Sequence, residues 1–135
     1  MPVTFEKIKV GETYDRPTLA ALWGYRGFQA ISRGVVTPKD SNKIVLFVTQ
    51  EKQAHLRQYR DRFEGDELHW EGPDDHWAED RMVDAETSGD EIHVFYRERH
   101  HAPFTYYGRA KVKSAKRGTG ETVSQFVLTT EWNSP

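Results

Sequence analysis

Apolar and polar positions divide this chain into a few recognisable segments. Residues 16–24, RPTLAALWG, place Pro17 near a first turn and Gly24 at the exit, which predicts a short helix. GFQAISRGVV at 27–36 and NKIVLFVTQ at 42–50 are rich in β-branched and aromatic residues, so both are expected to be strands, with turn chemistry in VTPKDSN between them. The run from Ile44 to Val48 is apolar on both alternating faces and predicts a central strand covered on two sides. Residues 51–60 are polar with helix formers, which predicts a short helix or turn. ELHWEG at 67–72 is then a strand entering an acidic loop at 72–80.

Three longer strands are expected to finish the domain: 91–99, 103–114 and 122–132, with SAKRGTGE at 114–121 as a hairpin loop. Period-2 alternation puts Phe104, Tyr106, Gly108, Ala110 and Val112 on one face of the middle strand, and Thr105, Tyr107, Arg109, Lys111 and Lys113 on the other. About six strands, two or three short helices and no regular β-α-β alternation predict an α+β fold. Its sheet is expected to be strongly curved, mixed or antiparallel, or closed into a small β-barrel.

Composition narrows this picture. A chain of 135 residues suits a single domain spanning 1–135, and 13% aromatic content argues for a ring-built core rather than disorder. Cysteine is absent, which removes disulfides and thiolate metal sites and fits a cytoplasmic protein. The first residues, MPVTFEKIKVGETY, lack signal-peptide features, and no apolar run approaches the roughly 20 residues that span a bilayer. The net charge of −2 hides an asymmetry: residues 51–90 hold thirteen Asp/Glu against five Lys/Arg, whereas 91–118 hold seven Lys/Arg against two Glu. Such a dipolar chain can present an anion-binding face.

Candidate chemistry is concentrated in DELHWEGPDDHWAEDR at 66–81. His69, Glu71, Asp75 and His76 are metal-ligand types, but the two histidines are seven apart across a Gly-Pro turn, and nothing in that spacing makes them converge. No metal or other cofactor is therefore expected. No nucleophile elbow, metalloprotease helix or phosphate loop is present, so the chain is not expected to be an enzyme. As a strand, 67–72 puts Leu68 and Trp70 on one face and His69 and Glu71 on the other. That makes Trp70 a core ring, His69 and Glu71 site groups, and loop 72–80 a solvated rim. RERHHAPFTYYGRAKVKSAKR at 97–117 mixes rings with cations, the combination that holds bases by stacking and phosphates by charge.

Taken in order, GETYDRPTLAALWG, ISRGVVTPKDSNKIVLFVT, YRDRF, LHWEGP, IHVFYRER and PFTYYGRAKV resemble the C-terminal portion of a bacterial domain of unknown function. That domain follows superfamily 2 (DEAD/DEAH-type) helicase modules, some with a phospholipase-D-like nuclease. The resemblance covers about residues 11–130 and carries over Tyr14, Arg16, Gly34, Tyr59, Asp61, His69, Trp70, Arg97, Tyr106 and Gly108. It implies a helicase or nuclease partner that handles DNA in restriction or phage defence, and supplies no catalytic residue. The strand-rich ending also resembles the PUA and SRA-like curved-sheet modules, several of which read modified bases, which implies a site on the concave side of the sheet.

The resulting expectation is a non-catalytic DNA-binding module and reader of a modified or flipped base. Arg97, Arg99, Arg109, Lys111 and Lys113 would contact phosphates, and Tyr107, His69 and Trp77 would stack on or read the base. The alternative is a regulatory domain that docks onto a helicase or nuclease through its acidic face at 64–80.

Overall fold

The computed structural model describes residues 3–51, 61–73 and 75–132. The helix or turn expected at 51–60 lies outside these residues except at its first position. Among the described residues, eight strands form one mixed sheet: β1 (Thr13–Tyr14), β2 (Val35–Val36), β3 (Lys43–Glu51), β4 (Arg62–Glu64), β5 (Glu67–Glu71), β6 (Glu91–Arg99), β7 (Phe104–Lys116) and β8 (Gln125–Thr130). Three short helices join them: α1 (Arg16–Leu22), α2 (Glu79–Val83) and α3 (Ala85–Ser88). The strands run in the order β2-β3-β6-β7-β8-β5-β4, with β1 paired to β7. Only β3 and β6 are parallel, so the architecture is the mixed α+β sheet expected.

The apolar run in β3 explains why this sheet has two cores. Ile44, Leu46 and Val48 join Ile92, Val94 and Tyr96 of β6 in one cluster, and Val45 and Phe47 join Phe95 in the other. The first cluster also takes Val35 of β2, Leu68 and Trp70 of β5, and Phe126 and Leu128 of β8. Residues from both ends of the sheet can share one cluster only if the sheet curls around it, yet β2 and β4 stay unpaired with each other and the barrel stays open. Met82 and Ala85, from α2 and α3, cover this core. The second core lies on the outer face, under Leu19, Ala20 and Trp23. The Asp15 carboxylate caps α1 by accepting from Thr18 N–H at 2.8 Å, and Gly24 ends the segment at φ 80°.

Three expectations need correction. The segment 27–36 is a strand only at Val35–Val36, because Phe28–Ile31 form a 3-10 turn and Ser32 to Gly34 lead into the short ladder with β3. The alternation along β7 does not run through. Phe95 pairs with Tyr106 but Val94 pairs with Gly108, so a bulge inserts one residue, with Gly108 at φ 83°. Phe104 and Tyr106 therefore enter the outer core, whereas Tyr107 and Ala110 enter the inner one. The acidic stretch 72–80 is not wholly a solvated rim. Glu79 opens α2 with none of its side chain exposed, held by Ser124 Oγ at 2.6 Å.

Candidate nucleic-acid interface

Curling of the sheet leaves a seam between its two ends. A cavity of about 190 Å³ lies there, lined by Arg33, Gly34, Val35 and Phe47 from the β2–β3 side and by Asp61, Trp70, Glu71 and Pro73 from the β4–β5 side. A second cavity of about 560 Å³ shares Asp61, Trp70 and Glu71 and reaches Gln50, Arg62, His69 and the start of β8. The second volume is within the range of small-molecule sites, which are apolar hollows with a few placed polar groups.

The polar groups here are held by the fold. Asp61, 3% exposed, accepts a hydrogen bond from Glu71 N–H at 2.8 Å, which ties the residue before β4 to the end of β5. Tyr96 donates to the Gln50 side-chain oxygen. Trp70 packs against Phe126 at a centroid distance of 5.4 Å and gives the seam a rigid wall. His69 Nε2 lies 2.9 Å from Glu64 Oε2, an ion pair when the ring is protonated.

One ion pair crosses the mouth. Arg33 Nη2 donates to Asp75 Oδ2 at 2.9 Å, and the Arg33 guanidinium lies 5.3 Å from the centre of the Trp77 indole. Burial pushes the Asp75 carboxyl up, but hydrogen bonds from Trp77 N–H and Arg33 outweigh it and leave the group below its ordinary value. The loop is anchored behind by His76, whose Nε2 faces the Gly120 carbonyl at 2.9 Å and whose Nδ1 faces Glu79 Oε1 at 3.1 Å. Two acceptors favour the doubly protonated ring, so Gly120 first and Glu79 second raise its pKa.

The residues expected from the sequence to touch DNA occupy separate places. Arg97, Arg99 and Tyr107 line one cavity of about 370 Å³, together with Tyr96 and Trp132. Tyr107 is only 8% exposed, however, and its ring is stacked on Phe63 at 4.4 Å, with Trp132 edge-on. Arg97 is folded onto Phe104 at 4.2 Å and donates to Thr49 Oγ1 and the Ala102 carbonyl. Arg109 and Lys111 line a different cavity, beside α2 and α3, and Lys113 is paired with Glu67. Arg109 stands opposite His93, four residues before Arg97 on β6, or roughly 13 Å along the strand. His69 is in the larger seam cavity, and Trp77 is at the seam mouth.

Sequence reasoning missed Arg33 and Gln50 and gave Asp61 no role in the site. Their place depends on the two sheet ends meeting, which no local spacing encodes. The described residues contain no group of three or more His, Asp or Glu able to hold a metal ion, and no helix long and apolar enough to cross a membrane.

No protein-family model matches the sequence, and no curated protein matches it. Solved structures do resemble its fold. The SRA domain of SUVH5 in complex with methylated CHH DNA has a TM-score of 0.63 at 16% identity, and the complex with hemi-methylated CG DNA gives the same values. The same domain bound to fully hydroxymethylated CG DNA has a TM-score of 0.58 at 18% identity. Each alignment covers 100% of this chain and 97% of the other. At such identities the likeness is one of architecture, and the chain has an SRA-like fold.

Proposed function

We propose that this protein is a non-catalytic DNA-binding module that takes a modified base into the seam between the ends of its sheet. The observation that carries the reading is the seam cavity, walled by Trp70 and lined by the Asp61 and Glu71 carboxylates. It occurs in a fold shared with SRA domains solved on methylated and hydroxymethylated DNA. A base enters such a hollow only after leaving the stack, at a cost of a few kcal/mol that interactions in the pocket must offset. Carboxylate oxygens accept from the N–H edge of a base, and the rigid indole wall supports its plane. Exposed Arg99, Arg109 and Lys111 supply phosphate contacts along the outer surface. Tyr107 serves the fold rather than the base, since its ring is already enclosed.

The motif resemblance supports a helicase or nuclease partner in a cytoplasmic restriction or phage-defence system. The rival reading, an acidic docking face at 64–80, loses ground because Glu79 is buried and Asp75 is paired with Arg33.

Fluorescence anisotropy with duplexes of one sequence, carrying cytosine, 5-methylcytosine or 5-hydroxymethylcytosine at one position, tests the reading. Binding should favour a modified duplex and weaken steeply with salt. Absence of binding to every duplex and to single strands at low salt would overturn it.

A further inference from the structure

We propose that Arg33 is a backbone-phosphate contact at the mouth of the seam, and that Asp75 is a placeholder which the phosphate displaces. This rests on the DNA-reading function and assigns a part of the site that the cationic strand β7 does not supply.

Three features together suit Arg33 to this contact. First, its backbone is fixed. Arg16 Nε donates to the Ile31 carbonyl at 2.9 Å, Arg16 Nη2 reaches the Arg33 carbonyl at 3.5 Å, and the Arg16 guanidinium is itself held against Phe47 and Phe104 at 4.7 and 5.0 Å. Second, its guanidinium rests on Trp77, 45% exposed, so indole and guanidinium together make a ledge beside the opening. Third, its counter-charge is weakly committed. The Arg33 and Asp75 side chains are 53% and 59% exposed, and an ion pair so open to water contributes little to stability.

The loop that presents Asp75 carries its own strain. His76 and Ala78 both adopt left-handed backbone, at φ 56° and 63°, a conformation that non-glycine residues rarely hold without support. That support is the His76 ring, pinned to Gly120 and Glu79, and it aims Asp75 across the seam. A phosphodiester offers two acceptor oxygens to the planar fork of an arginine and releases condensed counterions on binding, advantages that a surface carboxylate lacks. In the free protein Asp75 thus keeps the fork aligned across the seam mouth. On DNA the phosphate takes the fork and the pair opens.

Anisotropy titrations of wild type, Arg33→Gln, Asp75→Asn and the double variant, each at several salt concentrations, test this. Arg33→Gln should weaken binding on the order of tenfold and flatten the slope of log affinity against log salt by about 0.9. Asp75→Asn should tighten binding about two- to fivefold by removing the competitor, and should change nothing when Arg33 is already glutamine. Arg33→Lys should keep the salt slope while losing part of the affinity, because it retains the charge without the fork. If wild type binds DNA and Arg33→Gln binds equally well with the same slope, the phosphate contact is overturned while the reader function stands. Weaker binding by Asp75→Asn would overturn the placeholder role. No DNA binding by wild type would remove the function and this contact together.

Discussion

A Cβ added to Gly72 would stand 2.4 Å from Glu79 Oε2 and 3.4 Å from the Phe126 ring, so the glycine and the buried carboxylate fill one space between them. Glu79 cannot easily withdraw. Its Oε1 accepts from Ser124 Oγ at 2.6 Å and meets His76 at 3.1 Å, and Gly72 N–H is itself bonded to the Ser124 carbonyl. Gly72→Ala is expected to destabilise the fold by about 1–3 kcal/mol through overpacking. Chemical denaturation measures this, and an unchanged midpoint would show that the carboxylate moves freely.

Tyr107 distinguishes a core ring from a DNA-stacking ring. It is packed among Phe63, Tyr96 and Trp132, so Tyr107→Ala should cost about 3–5 kcal/mol of stability. The informative comparison is Tyr107→Phe, which keeps the ring and should leave DNA affinity within about twofold of wild type, since the hydroxyl alone is removed. A large loss of affinity in that variant, with an unchanged melt, would restore Tyr107 to the binding surface.

Lys111 and Arg109 are exposed, and Lys111 lies 3.9 Å from an equally exposed Glu86. Replacing both by Ala should move stability by no more than about 0.5 kcal/mol. It should flatten the salt slope of duplex binding by roughly 0.9 for each phosphate that is no longer neutralised. Melting curves and salt titrations of the same preparation give both numbers, and an unaltered slope would remove the pair from the interface.

Acid should destabilise this protein in two stages. Burial pushes the His93 imidazole down to about 4, and its neutral ring is served on both sides, with Nδ1 at 2.6 Å from Tyr106 Oη and Nε2 at 3.0 Å from Glu91 Oε1. A neutral ring in the fold and a protonated one in the unfolded chain make this contribution complete above about 6.5 and lost as pH falls towards about 4. The hydrogen bond from Lys43 holds the Glu91 carboxyl down to about 2, so its contribution is complete above about 4.5 and lost as pH falls towards about 2. His76 has the opposite sign: its contribution is complete below about 6.5 and lost as pH rises through its raised value, so it acts on the alkaline side and leaves the first stage unchanged. Melting temperature should fall as pH drops below about 6.5 and fall more steeply below about 4.5. In Lys43→Met the second stage should shrink. A flat profile from neutral pH down to about 4 would contradict a neutral, buried His93.

Local pattern by itself determined the class of fold and several of its elements. Ile44 to Val48 had to be covered on both faces, because an apolar side chain at every alternating position leaves neither face fit for water. The boundaries of β6 and the helix entered at Pro17 followed in the same way, from composition and turn residues close by in the chain. Trp70 was legible as a core ring from its period with Leu68.

Tertiary structure alone decided which of the remaining groups meet. The bulge at Gly108 shifts the side chains that follow it on β7 by one position, up to a second register shift between Val112 and Ser114, and a period-2 reading has no means of registering an extra residue that only the partner strand exposes. Glu79 belongs by composition to a solvated acidic stretch, yet Ser124, 45 residues away, supplies the hydrogen bond that lets it be buried. Arg33 and Asp75 are 42 residues apart and meet because the curled sheet brings its two ends together around one core. Local sequence sets each residue's element and, until a bulge intervenes, its face, whereas the seam is a product of strand order and curvature, which depend on pairings between distant segments.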